Sequence, residues 1–278
     1  MEKDIRKSVI AGTWYPGDPA VLRAEIRRYL EAVPARTVGG PVVGLVSPHA
    51  GYVYSGPVAA HGYRLIEGKR YDAVVVIGPS HRVPFHGVSV WPSGGYETPL
   101  GVVPVEAGLA EAILGGSAVL NADRRPHAAE HSVEIQLPFL QVALGPFAFV
   151  PLVMGSQDFR TCEAVAEALW QAAKGKEVLV VGSSDLSHFH DGRQAERLDA
   201  IVVDLVRKGD PRGLARRLEE GSCEACGGGP VVTAMLFAGK AGARGVQVLR
   251  YAHSGDVTGD RSQVVGYLSA AFFRKPQG

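Results

Sequence analysis

The sequence is poor in cysteine, with only Cys162, Cys223 and Cys226 in 278 residues. An odd and small number of cysteines does not fit a disulfide framework and is typical of a reducing compartment. No run approaches the roughly 18 consecutive apolar residues that span a bilayer. The opening stretch MEKDIRKSVIAG also lacks the apolar segment of a secretion signal. These features predict a cytoplasmic protein that makes no use of a membrane.

The sequence also lacks an excess of either charge, since 29 Lys and Arg face 28 Asp and Glu, for a net charge of +1. Without a block of basic residues, nucleic acid is not expected as the main partner. H-E-x-x-H, G-x-S-x-G, the Walker A loop and G-x-G-x-x-G are all missing. Their absence argues against a zincin, an α/β-hydrolase, a P-loop enzyme and a Rossmann dinucleotide-binding protein.

Short apolar runs alternate with helical patterns along the chain. The runs, rich in Val and Ile, cover residues 41–47, 73–78, 147–155, 178–184 and 246–252, and the helical patterns cover residues 18–33, 56–68, 129–144, 159–175, 193–209 and 229–242. Residues 87–106 break this rhythm and favour a hairpin around Gly94 and Gly95 that is added to the sheet. The pattern predicts one α/β domain over residues 1–278, with a largely parallel mixed sheet and helices on both faces.

Three of the predicted strands are followed within a few residues by a histidine, namely His49, His81 and His188. A single loop histidine is usually explained by a hydrogen bond to a backbone carbonyl. Three such histidines beyond the carboxyl ends of strands of one sheet predict a shared site, because those ends meet at one edge. Two imidazoles and one anionic ligand would leave coordination positions open, as in non-haem Fe(II) sites and catalytic zinc sites.

The anionic ligand has two candidates in GSCEACGGGPVV, Cys226 and Glu224. Cys226 precedes a glycine run and Pro230, which suits the first turn of a helix, and a helix start is expected to lower the pKa of a thiol. Cys223 and Cys226 form a C-x-x-C, but the sequence has no second C-x-x-C for a zinc ribbon and no thioredoxin-like context. Cys162 falls within an amphipathic pattern and is expected in the core.

Two further clusters contain candidate acids and bases. The segment EHSVE at residues 130–134 places His131 and Glu134 three residues apart, on one face of the predicted helix, although a solvated helix start explains the same pattern. In SSDLSH, Asp185 precedes His188, and this pairing allows a carboxylate to orient an imidazole that acts as an acid or a base.

Eight motifs occur in a fixed order along the chain: AGTWYPGD, SPHAGYVYSG, GPSH, YETPLG, EHSVEIQLPFLQ, SSDLSH, ACGGGP and SGDVTGDRSQVVGY. In this order they resemble the Memo family, in particular its prokaryotic members, which are labelled protein B of the AmmeMemoRadiSam system. The resemblance extends from about Ala11 to about Phe272. It implies a fold like that of the class III extradiol ring-cleavage dioxygenases of the LigB type, which hold Fe(II) with two histidines and a carboxylate.

The resemblance implies that the metal ligands are His49, His81 and Cys226. Members of the family have been linked to iron and to copper, and we expect Fe(II), with copper or zinc as alternatives. The thiolate replaces the carboxylate of the dioxygenases, and this departure from their pattern argues against ring cleavage. A thiolate is also a ligand that favours copper and zinc.

The resemblance also implies that His131 lines the pocket and that Asp185 and His188 lie close to the metal. Two functions follow from it. The first is a metal-dependent, dioxygenase-like oxidoreductase that acts on a small substrate, with His188 moving protons. The second is a non-catalytic metal- or peptide-binding protein that works with a radical-SAM enzyme and an AMMECR-like protein.

Overall fold

A computed structural model describes residues 4–275. The strands are β1 (Ile5–Arg6), β2 (Val42–Ser47), β3 (Ala73–Pro79), β4 (Val88–Val90), β5 (Gly95–Thr98), β6 (Gly101–Pro104), β7 (Leu120–Asn121), β8 (Phe149–Met154), β9 (Val178–Ser183), β10 (Asp185–His190), β11 (Gly245–His253) and β12 (Val264–Phe273). The helices are α1 (Pro19–Ala32), α2 (Tyr52–Ile66), α3 (Ala107–Leu114), α4 (Arg125–Ala128), α5 (Leu137–Leu144), α6 (Phe159–Ala172), α7 (Gly192–Lys208), α8 (Pro211–Glu219), α9 (Gly228–Lys240) and α10 (Gly255–Thr258), with a 3₁₀ turn at Glu134–Gln136. Within residues 4–275, no helix is both long enough and apolar enough to cross a membrane.

The main sheet has nine strands, eight of them in the order β10-β12-β2-β9-β3-β8-β4-β7, and β11 pairs with β12. Its four central strands, β2, β9, β3 and β8, are mutually parallel. Antiparallel pairs join β12 to β2 and β4 to β8, so the sheet is mixed at both sides of a parallel centre. The predicted α/β class with a largely parallel mixed sheet is confirmed.

Apolar cores cover both faces of this sheet. In β3, Ala73, Val75 and Ile77 belong to one buried cluster, which also contains side chains of α6 and α9. Val74 and Val76 belong to the other cluster, which contains side chains of α1, α2 and α5. Because successive side chains of a strand point to opposite faces, an unbroken apolar run is what a strand between two helical layers requires. The prediction of helices on both faces is confirmed.

Three parts of the sequence-based assignment are wrong. The hairpin lies later than predicted, because β5 and β6 pair with each other across residues 99 and 100 and form a separate three-stranded sheet with β1. Only β4, from the first half of the 87–106 stretch, joins the main sheet. The helix predicted over residues 129–144 begins with a 3₁₀ turn at Glu134 and becomes α-helical at Leu137, which precedes Pro138. Proline suits the first turn of a helix, so this boundary has a local cause.

The long strand β12 was not predicted, although nine of its ten residues are buried. It pairs with β11 along one edge and with β2 along the other. Residues 185–190, expected as a loop, form the irregular strand β10, whose pairing with β12 shifts register on each side of His188. Such irregularities re-aim side chains, and they are common next to functional sites.

Candidate metal centre

The predicted ligands His49, His81 and Cys226 meet at the carboxyl edge of the parallel strands. His49 lies two residues after β2, His81 lies two residues after β3, and Cys226 lies in the loop before α9. One potential ligand atom from each residue lies within 4.8 Å of the others. The Cys226 Sγ and His49 Nε2 atoms are 3.0 Å apart. Side chains that are separated by up to 177 positions in the chain thus share one small volume.

A hydroxyl group orients the His49 ring. The Ser183 hydroxyl donates to the Ser132 carbonyl over 2.6 Å, so its oxygen is left to accept hydrogen bonds. It lies 3.0 Å from His49 Nδ1, which must therefore carry the proton. The neutral ring then has its lone pair on Nε2, the atom beside Cys226. This hydrogen bond fixes the tautomer that a metal ion requires.

A carboxylate orients the His81 ring in the same way. Glu130 Oε1 lies 2.9 Å from His81 Nδ1, and Glu130 Oε2 accepts a hydrogen bond from the His81 backbone over 2.7 Å. The backbone N–H of Ser132 donates to the same carboxylate over 2.8 Å. Although burial alone raises its pKa, these hydrogen bonds, led by that from His81, hold the pKa of Glu130 below its usual value. An ionised Glu130 accepts a hydrogen bond from His81 Nδ1–H and leaves His81 Nε2 without a proton.

His131 forms the next part of the wall. Its ring stacks on that of His81 with centroids 4.5 Å apart, and the ring of Trp14 also contacts it, with centroids 4.3 Å apart. His81, Glu130 and His131 make a second group of potential ligand atoms within 4.8 Å of one another. His131 therefore lines the site, as the family resemblance implied.

The alternative of a solvated helix start is wrong, because His131 and Glu134 are both buried. The two side chains also have different contacts, since His131 stacks on His81 and Glu134 pairs with Arg6. Glu134 accepts hydrogen bonds from Arg6 Nη1 over 2.5 Å and from the Tyr15 hydroxyl over 2.7 Å. It also accepts from the side chain of Ser8 over 2.6 Å. Glu134 thus fastens the segment 6–15, which carries Trp14, to the main body.

The environment keeps the two buried imidazoles neutral. Burial lowers the pKa of His49 to about 3, with a further contribution from His81, and burial likewise lowers the pKa of His131 to about 3. A charged imidazolium would be poorly solvated at either position. Neutral imidazole is the form that binds a metal ion.

The helix start was expected to lower the pKa of Cys226, and this expectation is wrong for the protein without a metal ion. Burial and then the Asp185 carboxylate raise the pKa of Cys226 well above its usual value. The thiol becomes a thiolate only if a cation replaces its proton. Gly227 allows this loop to approach the sheet closely, because a Cβ there would collide with the Ser183 carbonyl and with Ser184.

The predicted orientation of His188 by Asp185 is also wrong. His188 Nδ1 lies 2.8 Å from the Leu186 carbonyl, which can only accept, so Nδ1 carries the proton and Nε2 is free to take another. Asp185 accepts a hydrogen bond from the His49 backbone over 2.7 Å instead. Burial raises the pKa of Asp185 to about 6, against the effect of that hydrogen bond. Asp185 positions the chain at His49, and the Leu186 carbonyl orients His188.

His49 and His81 face a cleft of about 860 Å³, whereas Cys226 lines a second cavity of about 660 Å³, and His188 lines both. The wall of the larger cleft includes all but one of the predicted site residues: His49, His81, His131, Asp185 and His188. Sequence reasoning missed Trp14, Tyr54 and Phe189, which also line it. Trp14 and Tyr54 lie in the motifs AGTWYPGD and SPHAGYVYSG, so their aromatic character was a signal, but nothing local showed that they face the histidines.

The remaining cysteines and Glu224 lie outside the ligand group. Cys223 is buried, and burial raises its pKa to about 11. Glu224, the alternative anionic ligand, lies 3.0 Å from His190 Nε2 and is not among the clustered ligand atoms. Cys162 is fully buried in the apolar core, as predicted.

Comparison with known proteins supports the family resemblance. The family model described as Memo-like protein matches residues 6–271. The chain is 40% identical over 281 residues to the MEMO1 family protein TRQ2_0860 of Thermotoga sp. strain RQ2, covering 96% of this chain and 99% of that protein. It is 39% identical over 272 residues to the MEMO1 family protein MTH_45 of Methanothermobacter thermautotrophicus, covering 95% and 98%.

A solved structure shares the fold. The uncharacterized protein JW3007 from Escherichia coli K12 matches with a TM-score of 0.54 at 15% identity, covering 83% of this chain and 99% of that chain. At this identity the likeness extends to the fold alone. The family model and the two relatives each span nearly the whole chain. This chain therefore belongs to the Memo family.

Proposed function

We propose that the chain binds a transition metal ion through His49, His81 and Cys226 and uses it as a dioxygenase-like oxidoreductase on a small molecule. The observation that carries this proposal is the convergence of two imidazoles and one thiol within 4.8 Å. Each imidazole donates its Nδ1 proton to a hydrogen bond with a neighbouring side chain. Both Nε2 atoms are then free to bind. A histidine that binds a metal is usually neutral and donates the N–H of its other ring nitrogen to a nearby acceptor.

The donor set suits an open site on a redox metal. Two nitrogens and one sulfur leave coordination positions free, and we propose Fe(II) first, with copper or zinc as the alternatives that a thiolate also favours. Such a metal, when bound, supplies a centre for activating O₂ or a small substrate.

The surrounding residues support proton transfer and shielding. We assign to His188 the role of proton carrier, because its Nδ1 proton is held by the Leu186 carbonyl and its Nε2 is free. His131 and Trp14 form a wall of the cleft and restrict how a ligand can approach. Asp185 holds the backbone of His49 in place.

The metal is tested first. Protein purified and reconstituted with Fe(II) without oxygen is analysed for metal content, as wild type, Cys226→Ala and Cys223→Ala. Cys223 is the matched control, because it lies in the same loop but outside the ligand group. We expect stoichiometric metal in the wild type and in Cys223→Ala and a large loss in Cys226→Ala. Equal metal in all three would remove Cys226 from the site.

The reaction is tested next. Loaded protein is given a panel of catechols and other small enols while O₂ uptake is followed, and uptake that requires both Cys226 and His188 supports the enzyme. The alternative is a non-catalytic partner of a radical-SAM enzyme and an AMMECR-like protein. Tight association with those proteins that persists in Cys226→Ala and His188→Ala, without O₂ uptake, would favour that alternative.

A further inference from the structure

The cleft lined by His49 and His81 has acidic side chains in its wall but no lysine or arginine. Glu25 on α1 and Asp260, which follows α10, both line it, in addition to the buried Asp185. Among residues 4–275, neither Glu25 nor Asp260 forms an ion pair. Glu25 accepts a hydrogen bond from Tyr29, and Asp260 accepts one from the Ser262 backbone. Both carboxylates are accessible to solvent, so their negative charge reaches a ligand in the cleft.

Two arginines that are adjacent in sequence to residues of the wall do not cancel this charge. Arg261 follows Asp260 directly, but its guanidinium group is paired with Asp256 at 3.1 Å and with Glu196 at 3.7 Å. Arg82 contributes to the lowered pKa of His131 without lining the cleft. In the metal-free protein, a negatively charged ligand would therefore meet two carboxylates and no lysine or arginine of the wall.

Aromatic side chains at the surface form the other part of the wall. Tyr54 is 40% exposed and Phe189 is 69% exposed, although large aromatic rings are normally buried. Phe189 is the one non-glycine residue among residues 4–275 with a positive φ, of 61°. That backbone conformation is unfavourable for a bulky residue, and such strain tends to occur at ligand sites. The ring meets that of His188 edge-on, with centroids 5.6 Å apart.

We propose that this cleft binds a small organic cation, a molecule with a flat apolar body and an ammonium group. Aromatic faces attract cations, and unpaired carboxylates beside them add a second attraction for an ammonium group. The apolar body would contact Phe189, Tyr54 and Trp14, and the ammonium group would lie near Glu25 and Asp260. This inference rests on the proposed function, since it names the class of molecule that would reach the metal centre.

Three ligands of nearly equal size and different charge test the proposal. Tyramine is cationic, 4-hydroxyphenylethanol is neutral and 4-hydroxyphenylacetate is anionic. Their dissociation constants are measured by calorimetry on chelator-treated protein, because a bound zinc ion would repel the ammonium group and could bind the carboxylate of 4-hydroxyphenylacetate directly. Zinc uptake is measured separately. We expect tyramine to bind about tenfold more tightly than 4-hydroxyphenylacetate at low salt, since each exposed charge pair contributes up to about 1 kcal/mol. The difference should shrink at about 0.5 M NaCl.

Two variants locate the effect. Glu25→Gln combined with Asp260→Asn should bring the three dissociation constants within about twofold of one another, while the matched control Glu31→Gln, an exposed carboxylate on the same helix α1 outside the cleft, should keep the preference. Phe189→Leu should weaken all three ligands together. Equal or tighter binding of 4-hydroxyphenylacetate to the wild type, or a preference for tyramine that survives the double substitution, would overturn the proposal.

The two proposals can fail separately. If the protein takes up no zinc but chelator-treated protein still prefers tyramine, the metal site fails and the cation preference stands. If zinc binds and the preference is absent, the metal site stands and the cation preference fails.

Discussion

Replacing Glu130 by glutamine tests whether His81 is a metal ligand held by hydrogen bonding. The Glu130 carboxylate is 1% exposed and accepts three hydrogen bonds of 2.7 to 2.9 Å, two from His81 and one from Ser132. Glutamine has nearly the same shape but only one acceptor oxygen. If that oxygen takes the Oε1 position, it keeps the bonds from His81 Nδ1 and Ser132. The amide nitrogen then faces the backbone N–H of His81, a second donor.

The loss of one buried hydrogen bond sets the size of the effect on stability. Leaving a buried donor unsatisfied costs about 1 to 3 kcal/mol, so we expect the free energy of unfolding of the metal-free protein to fall by that amount. The bond to His81 Nδ1 also loses the charge of its acceptor, which weakens the orientation of the ring. Losing such a partner of a metal-binding histidine typically reduces metal affinity about 10- to 100-fold.

Zinc affinity is measured by competition with a chromophoric chelator at neutral pH, and stability is measured by urea unfolding. The control is Glu224→Gln, which removes a carboxylate from another histidine, His190, at a half-exposed site outside the ligand group. We expect the control to change stability by less than about 0.5 kcal/mol and affinity by less than about twofold. Unchanged zinc affinity in Glu130→Gln, despite lowered stability, would refute the assignment of His81 as an oriented ligand.

Three further outcomes are expected. His188→Ala should keep metal content and folding but lower any turnover by about 10²- to 10⁴-fold, the usual contribution of a positioned acid or base, and equal rates would remove His188 from the reaction. Glu134→Gln should lower the free energy of unfolding by about 3 to 5 kcal/mol in urea, because it leaves the buried Arg6 without its counter-charge, and a change below about 1 kcal/mol would contradict this. Burial and then the charge of Arg6 lower the pKa of His127 to about 3. Below about pH 6.5, His127 is therefore protonated in the unfolded chain but not in the folded chain. The contribution of His127 to stability should therefore be full well above pH 6.5 and should fall by about 2 kcal/mol by pH 5. If wild type and His127→Gln lose the same free energy of unfolding between pH 7 and pH 5 in urea, His127 makes no such contribution.

The central strands and the ligand candidates could be predicted because their signals are local. The run AVVVIG predicts a strand with both faces covered, and β3 occupies residues 73–79. His49 and His81 follow such strands, and a parallel sheet brings strand ends to one edge. The choice of Cys226 over Glu224 came from the family resemblance, and the geometry agrees with it.

The hydrogen bonds that orient the histidines could not be predicted in the same way. Ser183 and Glu130 lie 134 and 49 positions from the rings that they contact. Asp185 was matched to His188 because the two are close in sequence, but a strand whose register shifts on each side of His188 turns the ring to the Leu186 carbonyl. Burial of the Cys226 thiol raises its pKa and outweighs the lowering that the helix start predicts.

The distance along the chain between His49 and Cys226 has a consequence for the order of events during biosynthesis. The two residues are separated by 177 positions, and the loop of Cys226 is seated against the end of β9 through Gly227. A ribosome that has just released His49 and His81 has not yet made the thiol, so a nascent chain offers a metal ion two imidazoles at most. The complete ligand set exists only after β9 and α9 have been synthesised and packed. If the chain binds the proposed metal, insertion would therefore be a late step of maturation, performed on a chain that has already folded.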